Sequence, residues 1–408
     1  MKVVHIQTGM PLAGNAAYRL HKALMSIGIG SSIVTYMPAP KKNNVYSIPK
    51  SSNLFLKKII NYIYNKLFHN ISKSIKPEAY FYSPLPICNK HLSNNKLIKE
   101  ADAIYVHTIN GGFLGISDFE DLARTGKPIF FFMHDMWTFT GGCHHSFECE
   151  QYQNGCKQCA MFNKNSKFAK KQNAAKEKVF NKYDNIHFIS PSKWMQERAI
   201  KSNILKNKNI YHISNIVDEK IFKPLDTNTA REILNLPKDK KLITFGCQAG
   251  TKNRFKGWEY LRDAINSLDI DNLELVIYGS EYNKQTEDEL KYPIHFLGAL
   301  NDETMLSLVC NATDVFVSPS LAESFGLTLL ENTLCGTPVV AFDCTAIPEI
   351  VNINPNGYLA SYKDHISLAY GIKQQLNSKK STDGITYSSK SIAFQHKELI
   401  ERLTNINH

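Results

Sequence analysis

SPSLAESFGLTLLENTLCGTPVV, residues 318–340, is the stretch around which the chain is read. Glu323 and Glu331 are separated in it by seven residues. Ser324 suits a helix N-cap, residues 325–334 suit a helix, and Gly336 suits a stop before Thr337-Pro338 and a buried strand. On one helix, eight positions amount to about two turns, roughly 80° of rotation and roughly 12 Å. Two carboxylates so placed do not share one water as a hydrolytic pair would; they suit two grips on a long ligand. Between them lies the helix start, Ser324, Phe325, Gly326 and Leu327, whose unbonded N–H groups make a phosphate seat. A ligand with hydroxyls at both ends and phosphates in the middle fits this spacing, as a nucleotide sugar does. A surface helix with one acid stabilising its dipole would account for Glu331 alone but not for the whole stretch.

Outward from this stretch the chain alternates strand and helix twice over. Residues 2–7 form an apolar strand, residues 8–14 a Pro/Gly loop ending in Gly14, residues 15–27 an amphipathic helix and residues 32–36 the next strand. That order predicts a parallel doubly wound sheet with ligand loops at the C-terminal ends of the strands. Further strands are expected at 103–107, 128–133, 186–190 and 209–213, with helices at 164–182 and after the cap Ser192. The apolar run PIFFFM, 128–133, reads as a central buried strand and puts His134 at its C-terminal end, where function is expected. The pattern restarts with KLITFG, 241–246, followed by a loop and a helix preceded by Arg254, Lys256 and Gly257. A guanidinium and an ammonium at such a turn suit a diphosphate. Strands follow at 273–278, ending in Gly279, then at 294–297 and 314–318. Asp269-Ile270-Asp271 precedes a strand rather than following one, so it reads as a solvated turn and not as a metal motif.

These segments carry a resemblance. SPSLAESFGLTLLE and GTPVVAFDCTAIPEIV resemble the E-x7-E signature region of the retaining glycosyltransferases of family 4, and HDMWTFTGGCH resembles the subgroup found in bacterial capsule, exopolysaccharide and O-antigen glycosyltransferases. The resemblance covers nearly the whole chain and implies a GT-B fold, two Rossmann-like doubly wound α/β domains facing a central cleft. The expected division is 1–222 on the acceptor side, a linker from 223 to 240 within a nucleotide-sugar domain of 223–385, and a last helix in 386–408 crossing back. The implied activity is transfer of a sugar with retention. By position, Glu331 would hold the ribose hydroxyls, Glu323 the donor sugar hydroxyls, Lys256 and Arg254 the pyrophosphate, and His134 would lie near the anomeric centre. Gly279 would lie under the nucleotide, and Gly14 would close the glycine-rich loop. Two departures stand out: that loop has Gly14-Asn15 where a Gly-Gly pair is usual, and Cys247 follows Gly246 where an Arg is usual. No cofactor is implied for catalysis, since cations and a helix start can meet the leaving charge without a divalent ion.

Composition narrows the partners. With 43% hydrophobic residues the chain is globular, and its net charge of +11 calls for an anionic partner. A UDP- or GDP-sugar, a glycan or lipid-linked glycan acceptor and an anionic membrane surface all qualify. No nucleic-acid-binding pattern is present. Residues 41–100 hold eleven lysines against two acids, and within 51–76 the apolar residues Leu54, Phe55, Ile59, Tyr62, Ile63, Leu67 and Ile71 recur at helical spacing. This can be a membrane-surface helix or an ordinary packed helix with solvated lysines. The start of the chain reads as a strand and not as a secretory leader, which suggests a cytoplasmic protein, peripheral on the inner face of the plasma membrane.

Four of nine cysteines cluster as Cys143, Cys149, Cys156 and Cys159. The closing C-x2-C is a good metal hook, and four thiolates suit a closed structural zinc. A disulfide pair or four unligated thiols are the other readings. Against transfer stand a sugar-nucleotide epimerase on the same fold, which HDMWTFTGGCH disfavours, and a non-catalytic nucleotide-sugar-binding protein, which the presence of Glu323, Glu331, Lys256 and His134 disfavours.

Overall fold

The computed structural model describes residues 1–9, 14–39, 43–48, 82–86, 91–109, 113–162, 167–246 and 253–404. The basic segment 51–76, read from sequence as an amphipathic helix, lies outside them. Among the described residues no helix is long and apolar enough to cross a membrane.

Seven strands form the first sheet: β1 (Lys2–Gln7), β2 (Gly30–Thr35), β3 (Val45–Ser47), β4 (Ala103–Val106), β5 (Ile129–Phe132), β6 (Ile186–Ser190) and β7 (Ile210–His212). Their spatial order is β3-β2-β1-β4-β5-β6-β7 and every pairing is parallel. The strand order reverses between β1 and β4, so the crevice rule for open sheets points to the loops after those two strands. Val4, Ile6, Ile104, Val106, Phe131 and Phe188 turn to one face, where they join a core with Phe119 and Phe180. The alternate positions carry His5, Tyr105, Phe130 and Phe132, so the other face is built of stacked rings.

The second sheet contains β8 (Lys241–Gly246), β9 (Leu273–Tyr278), β10 (Ile294–Phe296), β11 (Val315–Ser318), β12 (Val339–Phe342) and β13 (Gly357–Ala360), again all parallel, in the order β10-β9-β8-β11-β12-β13. Its order reverses between β8 and β11. Leu242, Val276 and Val339 enter one core while Ile243, Leu275 and Val340 enter the other, so both faces are covered by helices.

The chain divides into two compact units. One comprises Ala16–Ser214 with Met1–Pro11 and Lys390–His408; the other is built on Asn215–Ser389. The division falls eight residues earlier than the sequence suggested, because Val217 and Phe222 are core residues of the second unit. The segment 223–240 is not a linker. It holds the helix Thr227–Ile233, capped by Asp226, whose Oδ1 accepts from Thr229 N at 2.8 Å. Arg231 on that helix is buried. It donates to the carbonyls of Ala312 and Lys240 at 2.8 and 2.9 Å and pairs with Asp314 at 2.9 Å. A guanidinium with five donors binds this helix to the second sheet as no flexible linker would be bound. The helix Ser389–Thr404 belongs to the first unit, burying Ile392, Ala393, His396, Leu399 and Ile400.

Candidate functional site

In the second unit the loop after β11 runs into the helix Leu327–Leu334, two residues shorter at its start than the sequence suggested. Ser324 is not its cap. Gly326 takes that position at φ +97°, a left-handed conformation, while Phe325 is pulled into the core. A residue at that φ cannot continue a helix, so the first turn begins after it. Glu323 therefore stands in the loop and only Glu331 on the helix, and the two-turn estimate of their separation does not apply.

Two of the expected residues meet. Lys256 Nζ lies 2.6 Å from Glu323 Oε1, and both side chains are largely but not wholly buried. Lys256 sits in a single 3-10 turn, Arg254–Lys256, started by Asn253, whose Oδ1 accepts from Phe255 N at 3.2 Å. The turn ends at Gly257, φ +65°, before the helix Trp258–Ser267. A Cβ on Gly257 would stand 1.9 Å from the carbonyl oxygen of Pro319. This close approach is open to glycine alone, and it presses the turn against the loop after β11. Leu321 N donates to Phe255 O at 2.8 Å and ties the loops together. Glu323 is held from its other side, its N–H donating to Thr345 Oγ1 at 2.9 Å.

Arg254 lines a cavity with Trp258, Glu259, Asn283, Gln285, Thr286 and Glu289. Two residues apart in a three-per-turn helix, Arg254 and Lys256 leave the axis in different directions. Glu331 is almost fully buried. Its charge is felt by Tyr278, whose hydroxyl burial raises far above its ordinary pKa and which has no hydrogen-bond partner among the described residues. Gly279 follows at φ +78° and donates to Gly298 O at 2.7 Å. Gly14 also has a positive φ, +74°, in a loop whose residues 10–13 lie outside those described.

In the first unit, His134 stands just past the C-terminal end of β5, with Met133 between them. It does not stand alone. His134 Nε2 is 2.8 Å from His107 Nδ1, and His107 Nε2 is 2.9 Å from His5 Nδ1. Burial pushes the imidazole of His134 down to about 4, against a smaller opposite pull from Asp135. Burial likewise holds His107 and His5 well below the usual histidine range. All these rings are therefore neutral at pH 7. The sequence carries a signal for this: HIQ, YVH and FFMH each place a histidine near the C-terminal end of one of three neighbouring strands, each two residues further along than on the strand before.

The stretch HDMWTFTGGCH after His134 is a braced loop. Asp135 Oδ1 accepts from Trp137 N at 2.8 Å and Oδ2 lies 2.6 Å from His144 Nδ1. Burial alone would raise this carboxyl, but His144 and the Trp137 N–H hold it below its usual range. Lys176, fully buried on the helix Lys167–Lys182, donates to the carbonyls of Trp137 and Thr140, and its Nζ lies 3.6 Å from the centre of the Trp137 ring. Burial lowers its pKa to about 7. Lys176 was not singled out from sequence; it sits in a basic run that reads as solvated.

Cys143, Cys149, Cys156 and Cys159 are free thiols. Cys156 Sγ accepts from Gly141 N at 3.2 Å, and burial pushes its thiol up to about 11. Among the described residues no group of three or more His, Cys, Asp or Glu is arranged to hold a metal ion; the four thiols nonetheless lie near enough for Cys149, Cys156 and Cys159 each to raise the pKa of Cys143, after burial.

Comparison with known proteins meets this geometry in the second unit. Residues 226–391 match the family described as glycosyl transferases group 1. The uncharacterized glycosyltransferase MJ1607 of Methanocaldococcus jannaschii is 34% identical over 154 residues, which is 36% of this chain and 38% of that protein. The N,N'-diacetylbacillosaminyl-diphospho-undecaprenol alpha-1,3-N-acetylgalactosaminyltransferase of Campylobacter jejuni is 27% identical over 221 residues, 49% of this chain and 56% of that protein. The chain thus spans about two-fifths to a little over half the length of these curated relatives. Among solved structures, Anabaena Alr3699/HepE, in complex with UDP and glucose, aligns over 100% of both chains with a TM-score of 0.62 at 16% identity, a likeness of fold. Residues 226–391 thus match the glycosyl transferases of group 1, and the chain that carries them has the two-unit parallel-sheet α/β fold of solved GT-B glycosyltransferases.

Proposed function

We propose that the protein transfers a sugar from a nucleotide-sugar donor to a glycan or lipid-linked glycan acceptor in bacterial surface polysaccharide synthesis, with retention at the anomeric carbon and without a divalent ion. The observation that carries this reading is the Lys256–Glu323 pair, locked by Gly257 against the loop after β11 at the reversal point of the second sheet. An ammonium there can meet the charge that grows on a departing diphosphate, and the carboxylate beside it can accept hydrogen bonds from sugar hydroxyls. Glu331, behind the start of the same helix, is assigned to the ribose, and Ser324, Phe325, Gly326 and Leu327 to the phosphates. His134 is assigned to the donor sugar. Arg254, two residues before Lys256, is assigned to the diphosphate as a second cation.

In the proposed step the bond from the anomeric carbon to the diphosphate oxygen breaks. The acceptor oxygen bonds to the same face of the sugar, and its proton passes to the departing phosphate oxygen. The nucleotide is proposed to be UDP or GDP. The relative from Campylobacter, named for a diphospho-undecaprenol acceptor, supports a lipid-linked acceptor, and the excess of lysine in residues 41–100 suits an enzyme peripheral on an anionic membrane. A thermal-shift series with UDP, GDP, ADP and dTDP, with and without EDTA, tests the donor side. A ligand at a hundred times its Kd stabilises by about 2.7 kcal/mol. A shift with one nucleotide that Lys256→Ala abolishes and EDTA leaves unchanged is the expected result. No shift with any of the four would overturn the nucleotide assignment.

A further inference from the structure

The row that begins at His134 does not stop at His5. His5 Nε2 lies 3.1 Å from Ser31 Oγ, Ser31 Oγ lies 2.7 Å from His21 Nδ1, and His21 Nε2 lies 2.9 Å from the carbonyl oxygen of Asn43. Five contacts, each of hydrogen-bond length, join His134, His107, His5, Ser31, His21 and Asn43 across β5, β4, β1, β2, the helix Ala16–Ser26 and the segment before β3. His5, His21, Ser31 and His107 are buried, so the row is closed to bulk water along its middle.

The last acceptor sets the direction of every proton in the row. A carbonyl oxygen only accepts, so His21 Nε2 carries a hydrogen. When His21 is neutral its Nδ1 is then bare, and Ser31 must donate to it. Ser31 Oγ then accepts from His5 Nε2–H, which leaves His5 Nδ1 bare to accept from His107 Nε2–H. His107 Nδ1 accepts in turn from His134 Nε2–H. By this count His134 is the Nε2–H tautomer, and its Nδ1 holds a lone pair.

One added proton reverses the whole sequence. If His134 Nδ1 takes a proton, Nε2–H passes its own to His107 Nδ1. His107 passes its Nε2 proton to His5, His5 to Ser31, and Ser31 to His21 Nδ1. Each residue from His134 to Ser31 gains one proton and gives one, no ring before His21 keeps a charge, and His21 ends as the imidazolium with both its N–H groups bonded. We propose that this row transmits protons between His134 and His21, so that His107, His5, Ser31 and His21 are positioning residues which set whether His134 offers the ligand a lone pair or an N–H.

What favours His21 as the charged end is that a cation there has both N–H groups bonded, to Ser31 and Asn43; Lys22 opposes charge at His21 and Asp135 favours it at His134. Asn43 O stabilises the His21 cation, while Lys22 and Tyr18 lie on the same helix as His21 and His5 faces it edge-on from β1 at 6.0 Å. In the middle, Tyr105 on β4 and His396 on the helix Ser389–Thr404 face His5 and His107 and offer no negative charge. Asp135 adjoins His134 at the other end. Burial lowers the pKa of His21, with Lys22 adding to it and Asn43 opposing, so the change takes place below the ordinary histidine value near 6.5. The value of the row to catalysis rests on the assignment of His134 to the donor sugar; its existence does not.

Ring-nitrogen NMR of the full-length protein labelled with 15N-histidine tests the row directly. At pH 8 the expected tautomer is Nε2–H for His134, His107, His5 and His21. On acidification His21 becomes the imidazolium, and at that same midpoint His5, His107 and His134 change to Nδ1–H while remaining neutral. If any of those three keeps Nε2–H after His21 is charged, or takes up the charge before it, the proposal is overturned. Ser31→Ala cuts the row. In that variant His21 should titrate without the other three following, and concerted switching in it would equally overturn the proposal. Should the variant not fold, the titration of the unaltered protein decides by itself. A missing nucleotide shift in the donor experiment, with the switching present, would sink the transferase reading and leave the row standing.

Discussion

Lys256 and Glu323 come from segments 67 positions apart and meet at 2.6 Å. Each offsets the other's charge in a site only partly open to water, which is why neither can be changed alone without cost. Lys256→Ala is expected to lower the turnover number about 100-fold or more, the magnitude seen when one preorganised donor to a developing oxyanion is removed. Steady-state kinetics over a range of donor concentration checks this; an unchanged turnover number would remove Lys256 from the reaction. Gly257 is required for a different reason. Gly257→Ala adds a methyl 1.9 Å from Pro319 O at a φ of +65°, and strain with overpacking at such a site costs about 2 kcal/mol or more. The thermal midpoint should fall, and nucleotide-dependent stabilisation should weaken with it, because the displaced turn carries Lys256.

At the scale of elements, the loop after β5 depends on the helix Lys167–Lys182. Lys176 serves two carbonyls of that loop and stacks on Trp137. Lys176→Met keeps much of the volume and removes the donor, leaving Thr140 O without it and Trp137 O with the 3.4 Å bond from Thr140 N, where an unsatisfied buried acceptor costs about 1–3 kcal/mol. The variant should lose protection of the amides in residues 136–143, measured by hydrogen exchange, before the rest of the unit loosens. Equal protection in both proteins would show that the lysine does not brace the loop. The helix Leu327–Leu334 shows how an element can be read correctly in type and wrongly at its start. Its apolar spacing and Gly336 were legible from sequence, but the pull of Phe325 into the core and the left-handed Gly326 decided where it begins.

For the whole molecule, the ring-lined face of the first sheet makes the first unit sensitive to acid. His134 and His187 are pushed down to about 4 and His396 to about 3, in each case chiefly by burial. Between those values and the unfolded value near 6.5 the unfolded chain binds protons that the folded unit does not, so stability falls as pH falls. Each such proton contributes a slope of about 1.4 kcal/mol per pH unit. Urea unfolding of the first unit followed at pH 7, 6 and 5 should show its midpoint decreasing at each step, and a flat or rising midpoint would show that these rings are hydrated.

Sequence by itself determined the two parallel sheets, because runs such as IFFF and VVAF bury on both faces and alternate with helix-period segments. It also placed His134, Lys256 and Glu323 at strand ends and loops, since strand order and loop position follow from local pattern. Only the tertiary structure decided the rest: that Lys256 meets Glu323, that 223–240 holds a bound helix, and that His134 heads a row of histidines. Each of these depends on the direction in which a side chain leaves its backbone and on residues far apart in the chain, and a pattern of neighbours in sequence carries neither.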